Sequence, residues 1–436
     1  MSFTCDKQTL DDLNMLGKYK PDSIYSLFAG IHTGGGEQLL DALFRRPLTD
    51  PEEINRRSAL FRYFQDKVTV FPLDKEPLSV MENYLSTGDG GNWLGSILRT
   101  GWKKLIGSIL RDEAYSVIHA RLLATIAVLN AFSGFMDKLE VDGPYGERVR
   151  QARVILGDSR LAWIKVPRRL SWFGVARYDH LLRNVLHREM KMLMEIVYHL
   201  DVCVAVGRVA RAKGFSYAQA LPKERNMFGV VALRHPRLEK AVANPLSLWG
   251  DSNMLFLTGA NMAGKSTFMK AFGVSVYLAH MGFPVAAEEM VFSVKDGIYS
   301  SINVPDDLSL GYSHFYAEVL RVKKVAEEVS QGKDVVVIFD ELFKGTNVKD
   351  AYDATLAVTA AFSEYRNCFF IISTHIIEVG EALREGYHNL QFVYLPTLME
   401  GTVPRYTYRM QEGITSDRHG MMIIENEKII DIILSK

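Results

Sequence analysis

Apolar positions change rhythm once along this chain. Up to about residue 224 they recur three or four residues apart, and after Met227 they gather into short runs bounded by turns. In the first half, Leu39, Leu40, Leu43 and Phe44 share one face of a helix predicted over Glu37–Arg46. It opens after Thr33 and the Gly34-Gly35-Gly36 run and stops at Pro47. A second helix, Pro51–Phe64, follows Asp50 as a good N-cap and carries proline at its first position. Longer periodic stretches predict helices over Ala114–Leu139 and Tyr178–Lys213, and the glycine-rich Ser86–Gly107 reads as a loop.

In the second half, the apolar runs Met254–Leu257, Val335–Phe339 and Phe369–Ile372 are separated by helical stretches at Lys265–His280, Phe315–Val329 and Ala351–Glu364. That alternation predicts a mostly parallel sheet covered by helices. From Gln391 to Met410, alternating Phe392, Tyr394, Tyr406 and Tyr408 suggest edge strands or a hairpin. The expected fold class is therefore an all-α N-terminal domain, residues 1–225, followed by an α/β P-loop domain, residues 226–436.

Composition narrows the class only slightly. Lys+Arg and Asp+Glu stand at 51 each, so any surface for a polyanion must be local. The three cysteines, Cys5, Cys203 and Cys368, have no zinc or disulfide spacing and fit a reducing cytoplasm. The uncharged stretches Leu122–Met136 and Ala271–Ala287 fall short of a membrane span and read as buried helices, and MSFTCDKQ has no signal pattern. The expectation is a cytoplasmic protein without a membrane.

The chemistry is concentrated at three strand ends. TGANMAGKST (Thr258–Thr267) follows the run Met254–Leu257, with Gly259, Gly264, Lys265 and Ser266 at phosphate-loop spacing. The glycines let backbone N–H groups approach phosphate oxygens, Lys265 adds a point charge, Ser266 offers a hydroxyl to Mg²⁺, and the next helix aims its positive end at the anion. VVVIFDE (Val335–Glu341) ends a buried strand in two acids. Asp340 suits the Mg²⁺ shell and Glu341 the attacking water, and the competing reading is an acidic helix cap. CFFIISTH brings Ser373, Thr374 and His375 to the same edge, His375 being either a γ-phosphate sensor or a structural histidine. DDLSLGYSHF (Asp306–Phe315) offers a Gly-x-Ser before a helix, an anion site or a simple N-cap.

Taken in order, TGANMAGKST, DDLSLGYSHF, VVVIFDELFKGTN and STH resemble the ATPase domain of the MutS DNA mismatch-repair family, an ABC-type ATPase. Asn261 and Met262, which a generic P-loop does not demand, match that family's loop. LRHPRLEKAVANPL (Leu233–Leu246) is similar to the segment before it. Cys5–Leu13, Thr33–Asp50 and Leu200–Phe215 resemble the family's helical core or lever. Residues 65–195 match only weakly and could hold a reduced clamp.

The resemblance implies ATP and Mg²⁺ held by Gly259, Ala260, Asn261, Met262, Ala263, Gly264, Lys265, Ser266 and Thr267, with Ser266 and Asp340 on the metal. It places the catalytic and switch positions on Glu341, His375 and Asn261. It also implies a homodimer through the ATPase domains, with Gly311 and Ser313 of one subunit reaching the γ-phosphate bound by the other. Departures are Phe343-Lys344 for a Gly-Arg pair, Tyr312 for an arginine, and no adenine-stacking aromatic near Val242. Tyr408 stands where the family has a base-proximal histidine and is the expected compensating stack. The family's N-terminal mismatch-reading wedge, a Phe-x-Glu, has no counterpart: the two such triplets, at Phe339 and Phe362, lie in the ATPase half. Direct mismatch reading is not expected.

Residues 150–188 carry Arg150, Arg153, Arg160, Lys165, Arg168, Arg169, Arg177, Arg183 and Arg188 against Asp158 and Asp179, interleaved with Trp163, Trp172, Phe173 and Tyr178. Such a face suits DNA or RNA contact, with Arg150, Arg153, Arg168, Arg169, Arg177 and Arg183 as candidate residues; a protein partner or a solvated face are the alternatives. Two functions follow: an ATP-hydrolysing dimeric DNA clamp in repair or recombination, or a nucleotide-switched scaffold for a protein or ribonucleoprotein partner.

Overall fold

The structure is a computed structural model describing residues 3–67, 70–86, 110–165, 170–302, 314–400, 403–415 and 429–434. It divides into two compact units. One comprises Met1–Leu27, Phe44–Ser58 and Ala212–Lys436, the other Phe28–Leu43 and Ala59–Arg211.

The first unit is built on a seven-stranded sheet. In spatial order its strands are Thr4–Cys5, Gly297–Ser301, Val335–Asp340, Phe369–Ser373, Met254–Gly259, Leu390–Leu395 and Gln411–Glu412. All pair in parallel except the last, which is antiparallel to its neighbour. The central strands are buried along their length, and so their sequences are continuous apolar runs with no alternation. Helices Lys265–His280, His314–Ser330, Val348–Ser363 and Ile377–Gly386 provide the crossovers. On one face Val337, Phe339, Phe370 and Ile372 pack with Val325, Phe362 and Leu383 in a dry core. Register places Asp340 opposite Ser373, Ser373 opposite Leu257, and Gly259 opposite Leu395. The P-loop and the acidic strand thus end at the same edge of the sheet.

A four-stranded sheet, ordered Gln219–Leu221, Glu289–Ser293, Met227–Leu233 and Asn244–Trp249, belongs to the same unit. The chain's first residues also lie here. Cys5–Leu13, which sequence alone groups with the helical half, supplies the outermost parallel strand and the helix Lys7–Asp12.

The second unit is helical. It draws on Gly34–Arg45, Pro51–Lys67 and His187–Lys213 in part, and contains Lys75–Ser86, Leu110–Met136, Gly146–Leu156 and Trp172–His180. Asp201, fully buried, accepts from the backbone N–H groups of His32 and Thr33 and from the Thr33 hydroxyl, which in turn caps Gly36 N–H. This network fixes the start of the helix that the Thr33-Gly34 signal marks. Tyr145 donates to Ile196 O at 3.0 Å and sets its ring edge-on to Phe64, knitting three helices.

Two expectations change. Tyr178–Lys213 is not one helix: Trp172–His180 passes through a π-helical turn, Leu181–Val185, before His187–Lys213 begins. Apolar spacing runs through the turn unbroken, and no proline or glycine marks it. Leu122–Met136 is buried on one face only, through Leu122, Val128, Leu129, Phe132 and Met136, while Val117 and Leu123 of the same helix are exposed. Among the described residues, Ser116–Met136 is the one helix long and apolar enough to cross a membrane by length and composition. The loop read over Ser86–Gly107 lies, beyond Ser86, outside the described residues.

Candidate nucleotide site

The strand Met254–Gly259 leads into a loop with three left-handed residues, Gly259 (φ 141°), Met262 (φ 71°) and Gly264 (φ 104°). At the two glycines the space is also closed. A Cβ on Gly259 would lie 3.2 Å from Leu395 O, and one on Gly264 would lie 3.0 Å from Cδ1 of Tyr408. Asn261, Met262, Ser266 and Thr267 are exposed on the loop, whereas Ala263 and Lys265 are buried.

Lys265 opens the helix Lys265–His280 and turns its ammonium back across the loop, donating to Gly259 O at 2.8 Å and Ala260 O at 3.3 Å. Burial lowers its pKa, opposed by the nearby carboxylates of Glu341 and Asp340. Glu341 Oε1 lies 4.0 Å from Lys265 Nζ and 4.0 Å from His375 Nδ1. Ser266 Oγ donates to Asp340 Oδ2 at 2.5 Å, and Ser373 Oγ donates to the other carboxylate oxygen. These contacts hold the carboxylate from both sides. The three strand ends anticipated from sequence therefore converge: P-loop, acidic pair and His375 lie within reach of one another.

Glu341 has a left-handed backbone (φ 53°) and its N–H donates to Ser373 O at 3.0 Å. Phe343 is also left-handed (φ 60°) and buried, with its ring 6.1 Å from that of Phe315. Asn347 then caps Val348–Ser363 by accepting from Asp350 N–H. Gly311, Tyr312 and Ser313 lie outside the described residues.

The donors fit a magnesium ion. One hydroxyl and one carboxylate are already adjacent, both hard oxygen ligands, and Mg²⁺ is commonly held by one or two carboxylates plus phosphate oxygens and water. No cluster of three or more His, Cys, Asp or Glu able to hold a metal occurs among the described residues.

Beside the loop opens a cavity of about 530 Å³, lined by Leu233, His235, Leu238, Phe268, Leu395 and Tyr408 among others. Its volume and largely apolar walls suit a small organic molecule. Burial, with Lys270 and Arg237 nearby, pushes the His235 imidazole down to about 4, so it is neutral at physiological pH.

Residues 255–436 match the family model described as MutS domain V, the ATPase domain of MutS proteins. The chain thus contains a MutS domain V. The matched span takes in the P-loop, both acids and His375, which the sheet brings to one edge, and Tyr408 beside the loop.

The candidate nucleic-acid residues, in the helical unit, are less uniformly available. Arg153 donates to the carbonyls of Met136, Asp137 and Leu139, and Arg150 to Val141 O. Arg183 pairs with Asp179 at 3.4 Å and lies over the Tyr84 ring. Trp163 and Tyr178 stack on each other at 3.5 Å, and Phe173 and Arg177 are exposed. Arg168 and Arg169 lie outside the described residues.

Sequence reasoning left three contributors without a role: Ser373, Asn244 and His235. Ser373 had a usable signal, since a parallel register pairs the ends of its strand and the acidic strand. The other two depend on contacts 164 or more residues away, or on the cavity itself, which spacing does not encode.

Proposed function

We propose that this MutS-family chain binds and hydrolyses ATP and works as a nucleotide-gated homodimer on DNA, in repair or recombination. The observation that carries the reading is the convergence of Lys265, Ser266, Asp340 and Glu341 at adjacent strand ends, with Ser266 and Asp340 2.5 Å apart. Loop N–H groups from Gly259 to Thr267 and the Lys265 ammonium neutralise the phosphates, and Asn261 contacts them from the exposed loop. Ser266 and Asp340 would hold Mg²⁺, which would supply neutralisation of phosphate charge. Glu341 polarises the attacking water, and His375, on the next strand end, monitors the γ-phosphate. Tyr408 stacks on the base in the neighbouring cavity, and Ser313 of a second subunit completes the site. In this reading the helical unit, Phe28–Leu43 and Ala59–Arg211, is the lever, and the unit carrying the seven-stranded sheet is the ATPase, in a cytoplasmic protein.

Two variants test the chemistry. Lys265→Ala should lose ATP binding at least tenfold, consistent with the roughly 1.5–3 kcal/mol of a charge-assisted contact. Glu341→Gln should bind ATP normally and release phosphate at no more than about a hundredth of the wild-type rate. Equal turnover in Glu341→Gln and wild type would remove Glu341 from the role given.

A second reading, a nucleotide-switched scaffold for a protein partner, is favoured by the internal engagement of Arg153 and Arg183 and by the mutual stacking of Trp163 and Tyr178. Filter binding to duplex, junction and single-stranded DNA across a salt series separates the two. The DNA reading expects affinity falling as log salt rises, with a slope of about −0.7 to −0.9 per phosphate contacted. Absence of salt-dependent binding with and without ATP leaves the scaffold.

A further inference from the structure

Asn244 opens the strand Asn244–Trp249, and its side chain is buried. Its amide bonds in both directions to a segment 164 and 166 residues further on. Nδ2 donates to Tyr408 O at 2.9 Å, and Oδ1 accepts the Met410 N–H at 2.8 Å. The pairing of a carbonyl with an N–H fixes which end of the amide is which, because the flipped side chain would set donor against donor.

Between these two bonds the chain takes an unfavourable shape. Tyr408 has φ 57°, a left-handed conformation that costs a non-glycine residue about 1–2 kcal/mol. The bend turns the ring onto the P-loop, close enough that Gly264 could not carry a Cβ without meeting Cδ1 at 3.0 Å. On the N-terminal side, Thr407 is tied to Pro396 O by its hydroxyl at 3.0 Å. The ring thus forms one wall of the 530 Å³ cavity, with Leu233, Leu238 and Val242 among the residues lining the rest.

We infer that Asn244 is a positioning residue for base recognition: its two-way clamp holds the Tyr408 ring as the platform on which a nucleobase stacks. This rests on the P-loop being a nucleotide site. Its particular consequence is that losing the clamp weakens the hold on the base and spares the hold on the phosphates. Asparagine is the residue the geometry needs, since aspartate would face the Tyr408 carbonyl with a second acceptor and alanine would release both bonds.

The test compares ATP with inorganic tripolyphosphate, each with Mg²⁺, on the full chain by calorimetric titration. Wild type should bind ATP more tightly than tripolyphosphate. Asn244→Ala and Asn244→Asp should each weaken ATP by about five- to a hundredfold, the range of losing an aromatic–base stack, while tripolyphosphate stays within about twofold. Tyr408→Ala should reproduce that pattern, and Asn244→Ala/Tyr408→Ala should bind ATP no more weakly than Tyr408→Ala alone, as residues acting in series do. Equal loss of both ligands in the Asn244 variants, or additive losses in the double variant, would overturn the inference. So would a wild type that binds ATP and tripolyphosphate equally well. If wild type binds neither ligand, the nucleotide reading itself fails.

Discussion

Glu341 and Phe343 hold backbone angles that side-chain-bearing residues rarely adopt, φ 53° and 60°, directly after the acidic strand. Strain of this kind, about 1–3 kcal/mol per residue, persists where surrounding packing over-determines it. For Phe343 the packing is visible, since the ring is buried in the sheet's core against Phe315. Phe343→Gly would relieve the backbone but remove a buried aromatic whose truncation costs about 3–5 kcal/mol. Packing outweighs strain, so the variant should lose about 2–3 kcal/mol in urea titration. A stabilised variant would mean that the ring contributes little. At this scale the sequence was informative wherever chemistry forces a residue type. Gly259, Gly264, Lys265, Ser266, Asp340 and Glu341 could be named because phosphate and metal leave few substitutes. Ser373 and Asn244 act through another residue, one on the Asp340 carboxylate and one on the Tyr408 backbone; strand-end register signals the first partner, and nothing in local spacing announces the second.

Among the elements, the short N-terminal helix Lys7–Asp12 is tied into the sheet by charge. Asp6 caps it by accepting from Thr9 N–H, and also pairs with the buried Arg321 and with Lys324. Asp12 accepts from the Ser300 hydroxyl and from Ile302 N–H at the end of the neighbouring strand. Burial alone would raise the Asp6 pKa, but the hydrogen bonds from Arg321 and Lys324 outweigh it and hold the carboxyl well below the usual carboxylate range. Its folded pKa is thus below the unfolded value of about 3.9. The stabilisation is complete above that unfolded value and drains away as pH falls through the folded one. Wild type should therefore exceed Asp6→Asn in stability near neutral pH, with the gap narrowing below about pH 4. A gap in urea midpoints that stays constant down to about pH 3 would contradict this. The central strands were legible because burial on both faces writes continuous apolar runs. Thr4–Cys5 was not, being two residues long with its hydrogen-bond partner at Asp296. Nor was the π-helical turn at Leu181–Val185, because one extra residue per turn leaves the apolar rhythm almost intact.

For the whole molecule, the proposed completion of the site by a second subunit would make association depend on nucleotide. Glu341→Gln, unable to turn over, should accumulate with ATP as a species of doubled apparent mass in sedimentation velocity and return to the monomer when ATP is replaced by ADP. Identical sedimentation with and without ATP would rule out nucleotide-gated dimerisation. The parallel strand at Thr4–Cys5 carries a consequence for synthesis. Thr4 must find Asp296, 292 residues later. At about 5–20 residues per second, a ribosome takes about 15–60 s to supply that partner. Throughout that interval the Thr4–Cys5 strand has no native neighbour at the sheet's outer edge, and a chaperone holding that segment would have that long to act.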